Sequence, residues 1–304
     1  MKAFVAVTDN DWFEFLRRQP GLIEVNFWQP GGGRQFRALE PGQPLLFKLH
    51  APQNVIAGGG FFATFSTLPM SMAWQTFELQ NGAPTREAMH ERIEYYRRVP
   101  HDPRADYSIG CIVLADPFFL DERSWIPVPN DFSPNTVVGK TYDLTTSPGR
   151  ELWDTVAGAR GLARHAGAEP SVVYGEPTLF RPRLGQGAFR VVVTDAYDRH
   201  CAVTGEKTLP VLDAAHIRPK SEGGGHRVDN GLLLRSDIHT LFDRGYVTVT
   251  PDYHFRVSEK LRADWRNGRV YYALDRQPIH VPPAATAQPS EAELEWHADT
   301  VFLS

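Results

Sequence analysis

The chain has 304 residues, 42% of them hydrophobic and 22% charged, with a formal net charge of -4; this is the balance of a globular protein with room for two ordinary domains. No apolar run reaches the ~20 residues needed to cross a bilayer, and the acids of MKAFVAVTDNDWFEF stand where a signal peptide would be apolar, so a cytoplasmic protein with no membrane partner is expected. Division at Gly185 leaves 18 Lys+Arg against 20 Asp+Glu before it and 14 against 16 after it, -2 on each side, which excludes a bulk basic field and leaves a polyanion only local clusters to bind.

In chain order, residues 11–17 read as a short helix. PLLFKL (44–49), NVIAGGGFFATF (54–65) and YSIGCIVLA (107–115) are apolar or aromatic runs bounded by Pro, Gly and Asn, and read as strands. Residues 85–98 open with Thr-Arg-Glu and are rich in helix formers, so a second helix is expected there, and a third over 147–164. The Pro and Gly of GAEP, GEP and RPRLGQG make 165–187 a linker. Residues 188–200 read as a helix, and 281–304, Pro/Ala-rich and then acidic, as a tail. There is no internal repeat. Cys111 and Cys201 form no CxxC pair, which argues against a zinc ribbon. No disulfide is supported, and Cys201 reads as a packing residue.

The densest chemistry lies in CAVTGEKTLPVLDAAHIRPKSEGGGHRVDNGLLLRSDIHTLFDRGYVTV. VLDAAHI is an apolar strand ending at His216, GLLL is a second strand, and Asp237 can cap a short helix carrying His239 and Asp243. The spacing is H-x13-N-x8-H. Hydrolysis of a phosphodiester needs an activated water and neutralisation of charge on the phosphate and leaving oxygen. His216 can be the general base, its ordinary pKa of ~6.5 lying near working pH. Asn230 can hydrogen-bond the loop or the base histidine, although DNG is also a turn former. His239 and Asp243, four apart, share a helix face and suit a divalent cation. Asp213, three before His216, points to the opposite side of the strand and completes the set. Oxygen ligands favour Mg2+ or Mn2+, and the imidazole admits another transition metal. Arg218, Lys220 and Arg244 are candidate phosphate contacts. Asp243 could instead cap backbone or pair with Arg244. His200 and His226 read as loop or surface residues.

RLGQGAFRVVVTDAYDRHCAVTG, DAAHI, DNGLLL and DIHTLFDRG, in that order over about 183–250, resemble the zinc-ribbon-less branch of the HNH (ββα-metal) endonuclease family. The resemblance implies a ββα-metal fold, one divalent cation and nicking of a DNA strand. Carried onto this sequence, it makes His216 the general base, Asn230 the middle asparagine and His239 the last, metal-binding histidine. Many members hold His or Asp immediately before the base; here that position is Ala215, and Asp213 is taken as its substitute.

In the first half, GLIEVNFWQPGGGRQFRALEPGQPLLFKLHAPQNVIAGGGFF orders an aromatic loop, a G-x-P-L-L-F-K-L strand and an I-x-G-G-G strand. The order resembles PUA-like domains, specifically the EVE type, with Gln43 where an acid is common. This implies a small β-barrel accepting a nucleobase turned out of the helix. Asn26, Phe27, Trp28 and Trp74 offer stacking faces and polar edges for it, and Arg34 after three glycines could meet a phosphate. The alternative is that these aromatics fill a core, which is the more frequent role of the phenylalanines.

The expected fold class is therefore α+β: a PUA-like/EVE-type β-barrel with flanking helices over 1–150, a helix and linker over 151–187, an HNH domain over 188–280 and a tail over 281–304. The expected function is a modification-dependent restriction endonuclease, a metal-dependent hydrolase of double-stranded DNA that carries 5-methyl- or 5-hydroxymethylcytosine. The alternatives are an HNH nuclease of homing or toxin type without modification dependence, and a DNA-binding module with a degenerate nuclease domain. A single motif attacks one strand at a time, so a homodimer is expected for double-strand scission.

Overall fold

This computed structural model describes residues 1–165 and 184–304. The expected linker lies mostly outside them. The chain divides into two compact units, Met1–Gly185 and Gln186–Ser304.

The first unit begins with β1 (Lys2–Thr8) and α1 (Asn10–Leu16). Asp9 caps α1 by accepting from the Trp12 amide at 2.7 Å. Next come β2 (Glu24–Gln29), β3 (Pro44–Leu49), the long β4 (Val55–Pro69), α2 (Met70–Phe77) and α3 (Arg86–Arg97). Thr85 caps α3 through the Ala88 amide at 3.1 Å. The unit ends with β5 (Ser108–Phe119), β6 (Ile126–Pro127), β7 (Gly139–Asp143) and α4 (Gly149–His165). The strands pair in the order β2-β5-β4-β3-β1-β7, with β6 also on β4. β1 and β3 are parallel, and the other pairs are antiparallel.

The expected closed β-barrel is not formed: β2 and β7 end the ladder. The strands bury side chains on both faces. Phe4 and Ala6 of β1, with Leu45, Phe47 and Leu49 of β3, pack into one core with Trp12, Phe13 and Leu16 of α1. Val5 and Leu46, the residues between them, enter a second core with Leu152 and Val156 of α4. Both faces of the sheet are therefore covered, and its strands read as continuous apolar runs rather than alternating ones.

The second unit runs α5 (Gln186–Ala196), β8 (Leu212–His216), β9 (Gly231–Arg235), α6 (Ser236–Asp243), β10 (Val247–Val249), β11 (Phe255–Val257), α7 (Lys260–Trp265), α8 (Arg269–Tyr272) and α9 (Glu291–Thr300). β8 and β9 form an antiparallel pair from Leu212↔Arg235 to His216↔Gly231. Leu212, Ala215 and Leu232–Leu234 enter one core with Phe189 and Val193 of α5 and Ile238 and Phe242 of α6. The segment expected to be a tail supplies Leu294 to that core and buries His297. The His297 ring stacks on Phe242 at 3.7 Å between centroids, its Nε2 donates to the Phe242 carbonyl at 3.1 Å, and its Nδ1 lies 2.8 Å from Thr248 Oγ1. No described helix is long and apolar enough to cross a membrane.

Candidate active site

β8 carries Asp213 and His216, and its twist sends them to different neighbours. His216 ends the strand. Its ring lies on Phe189 of α5 with centroids 3.9 Å apart and planes 11° from parallel. Its Nε2 meets His226 Nδ1 at 3.0 Å, so one of the two nitrogens carries the proton and the other accepts it. Burial, reinforced by the positive charges His226 and His239 can carry, lowers the His216 pKa to about 4. The ring is therefore neutral at physiological pH, with one nitrogen protonated and the other bearing a lone pair. His226, expected to be an ordinary loop residue, is the partner that sequence reasoning missed. It lies ten residues beyond the base in a Gly-rich loop, and no helical or strand spacing relates the two.

Asn230 is fully buried and holds that loop rather than touching His216. Its Oδ1 accepts from the Arg218 amide at 2.9 Å, and its Nδ2 donates to the carbonyls of Arg218 and Gly225, both at 3.0 Å. Of the two roles open to it, the loop is the one it fills. Two glycines make this possible. A Cβ on Gly224 would lie 1.8 Å from the Arg218 carbonyl oxygen, and one on Gly231, opposite His216, would lie 2.5 Å from Val193 Cγ2. The first lets the loop close on Asn230, and the second lets α5 press Phe189 against His216.

Asp213 faces α6. Its Oδ2 is 3.4 Å from His239 Nδ1, and Asp243 Oδ2, one turn further along α6, is 3.4 Å from His239 Nε2. Burial would lower the His239 pKa, but the two carboxylates outweigh it and hold the pKa above its ordinary value. The hydrogen bond to His239 keeps Asp213 low, whereas burial and the Asp213 charge push Asp243 up despite His239. Two carboxylates and an imidazole thus share one partly buried cluster, a donor set that suits a divalent cation. The carboxylates flank opposite nitrogens of the ring, and an imidazole offers a metal only one of them.

Several expectations change. Asp237 does not cap α6; Arg235 is the N-cap residue without a side-chain bond, and the Asp237 carboxylate accepts from Arg235 Nε at 2.6 Å and Tyr271 Oη at 3.1 Å. Asp243 turns to His239, not to Arg244. Arg218 is drawn inward: its Nε donates to the Glu222 carbonyl at 2.6 Å, and its guanidinium lies over Trp296 at 5.0 Å. Lys220 and Arg244 are exposed beside the site, and Arg34 is exposed in the first unit. Cys201 is buried, as a packing residue should be, and its Sγ accepts from the Arg235 amide at 3.3 Å.

In the first unit, Asn26 is fully buried; its Nδ2 donates to Asn81 Oδ1 at 2.9 Å, and its Oδ1 has no partner. Phe27 packs edge-on to Trp12 and parallel to Phe47, with centroids 5.3 and 6.1 Å away. Asn26 belongs to the interior, whereas Phe27 is half-buried, like Trp28, against the same core. Trp28 is half-buried on the terminal strand β2, its indole N–H donating to the Asn81 carbonyl at 2.9 Å. Trp74 is half-buried on α2.

Residues 201–250 match the family described as HNH endonuclease. No curated protein matches the chain. Among solved structures, it is similar to ASCH from Zymomonas mobilis (10% identity, TM-score 0.34, covering 50% of this chain and 94% of that one). It is also similar to a point mutant of the Zymomonas mobilis ASCH protein (13%, 0.33, 49% and 96%). A third likeness is to a protein described as the modification dependent TagI restriction endonuclease (12%, 0.31, 97% and 81%).

Proposed function

We propose, from the premise that residues 201–250 are an HNH endonuclease segment, that the second unit hydrolyses DNA phosphodiesters with His216 as general base. The observation that carries this reading is the neutral His216 imidazole, fixed between Phe189 and His226 at the end of β8. The ring takes a proton from the attacking water as the water oxygen bonds to phosphorus and the bridging P–O bond breaks. Phe189 prevents the ring from turning, and His226 shares a proton with its Nε2. Asn230 is a positioning residue: it shapes the Arg218–Gly225 loop that carries His226 toward the base. Asp213, His239 and Asp243 are the candidate ligands of a divalent cation, Mg2+ or Mn2+ by their oxygen donors, with only the carboxylate on the ring nitrogen that faces the ion able to join His239 on it. When bound, such a cation withdraws charge from the phosphate and the leaving oxygen. Lys220 and Arg244, both exposed, are the candidate contacts for phosphates beside the scissile one.

The first unit directs the nuclease to DNA carrying a modified cytosine, with Trp28 and Trp74 as the remaining stacking candidates. This finer reading is supported by the aromatic and glycine order of the segment from Gly21 to Phe62 and by a unit with its own core. Double-strand scission is the work of two copies, one per strand. Plasmids that differ only in unmodified, 5-methyl- or 5-hydroxymethylcytosine test the reading: cleavage of the modified ones alone supports it, and equal cleavage of all three leaves a nuclease indifferent to modification.

A further inference from the structure

Among the described residues, one group offers three metal-ligand atoms within 4.8 Å of one another, and it is not in the nuclease unit: His90, Glu94 and His101 of the first unit. His90 and Glu94 are one turn apart on α3 and so share a face. His101 comes back past the helix end. Both α3 residues are more than nine-tenths buried, whereas the His101 side chain is 60% exposed.

The hydrogen bonds fix the chemistry. His90 Nε2 lies 3.0 Å from the Ala105 carbonyl, which can only accept, so in the neutral ring the proton is on Nε2 and Nδ1 is a bare lone pair. That lone pair faces Glu94 Oε1 at 3.7 Å, beyond hydrogen-bond reach and acceptor to acceptor. Glu94 is itself held in place, Oε1 by the Asp102 amide at 2.8 Å and the Tyr107 hydroxyl at 3.2 Å, and Oε2 by His101 Nδ1 at 2.7 Å. A second set of partners that fixes ring tautomer and carboxylate orientation is what metal ligands ordinarily have. A metal cation or a proton between His90 Nδ1 and Glu94 would relieve this juxtaposition, and His101 adds a third ligand atom on the same side, which a metal can use and a proton cannot.

We infer that His90, Glu94 and His101 form a binding site for one divalent transition metal of the zinc class, with a fourth position open to water from the adjoining cavity of about 230 Å3. Two imidazoles and one carboxylate select such an ion over Mg2+ or Ca2+. Ligand atoms at ~2.0–2.2 Å from a tetrahedral ion stand about 3.3 Å apart. The His90–Glu94 pair at 3.7 Å needs to close slightly. The His101–Glu94 pair at 2.7 Å must open as His101 gives up its Nδ1 proton, which the exposed ring is free to do. The ion would clamp the segment following α3 onto that helix.

The test uses the full chain carrying His239→Ala, so that the nuclease cluster contributes no imidazole, and the same chain with His101→Ala added. His101 is the exposed member of the three, and circular dichroism checks that its replacement leaves the fold intact. In Zn2+ titration calorimetry, the second chain is expected to bind one equivalent fewer, or that equivalent at least tenfold more weakly. Zn2+ should raise the midpoint of thermal unfolding in the first chain more than in the second. Equal stoichiometry and affinity in the two chains would overturn the site and leave a proton, not a metal, between His90 and Glu94. The DNA cleavage of the wild-type chain is scored separately, so failure of the nuclease reading does not mimic either result.

Discussion

His216 and His239 sit in opposite electrostatic settings, and the difference agrees with the separate roles proposed for them. Burial keeps His216 neutral, and two carboxylates keep His239 readily protonated or metal-bound. His216→Ala is expected to lower the cleavage rate by ~10²–10⁴, the usual contribution of a general base, with folding and DNA binding retained; cleavage at the wild-type rate would remove it from the mechanism. His239→Ala should lose Mn2+ affinity and cleavage together. Because the carboxylates flank opposite ring nitrogens, Asp213→Ala and Asp243→Ala are expected to differ: whichever abolishes Mn2+ binding in calorimetry marks the nitrogen that faces the ion. The pH dependence follows the same signs. Since His216 loses its proton near a pH of about 4, the acid limb of the rate is set by protonation of His239 competing with the cation, and higher Mn2+ should shift that limb to lower pH. The histidine, asparagine and histidine of this site are legible in the sequence because each sits at a fixed spacing on a strand, turn or helix. His226 is not, because it meets His216 only through a loop folded back by Gly224 and clasped by Asn230.

At the scale of elements, strands and helices with local signals are legible from their residues. Asp9 and Thr85 cap α1 and α3, and PLLFKL and GLLL are strands. The segment 281–304 reads as a tail and is not one, since α9 alternates acids with small and apolar residues and shows no clear apolar stripe; Leu294 and His297 tie it down. That contact carries a stability prediction. Burial lowers the His297 pKa to about 4, so the unfolded state, titrating near ~6.5, binds more protons between these values. Stability of the second unit is then full above ~6.5 and falls as pH drops toward the folded-state value. His297→Gln, monitored by urea unfolding, should flatten that dependence; an unchanged slope would show that His297 is not the group responsible. On the hairpin, Gly231→Ala should destabilise by ~1–3 kcal/mol, the usual range for overpacking a filled core, because Val193 and Phe189 leave no room for a methyl group.

At the scale of the molecule, the Pro/Gly-rich stretch reads as a linker over 165–187 and the chain divides between Gly185 and Gln186, while the open edge of the first sheet is not legible. An aromatic, glycine-punctuated strand order is shared by barrels and by open sheets covered on both faces; only the long-range pairing, in which β2 and β7 end the ladder, separates them. Trp28→Ala is expected to weaken binding to modified DNA far more than to unmodified DNA, by the ~1–3 kcal/mol that stacking one base contributes, in fluorescence anisotropy titrations of matched duplexes. Equal weakening on both would return Trp28 to the core. If two copies are needed to cut both strands, linearisation should rise more steeply than nicking with protein concentration. The most direct test of the central claim is a plasmid cleavage assay with Mn2+, comparing the wild-type chain and His216→Ala on supercoiled DNA with and without 5-methylcytosine. The expected result is Mn2+-dependent nicking and linearisation of the methylated plasmid by the wild-type chain and none by His216→Ala. Failure of the wild-type chain to cut any plasmid, or cutting by His216→Ala at the same rate, would contradict it.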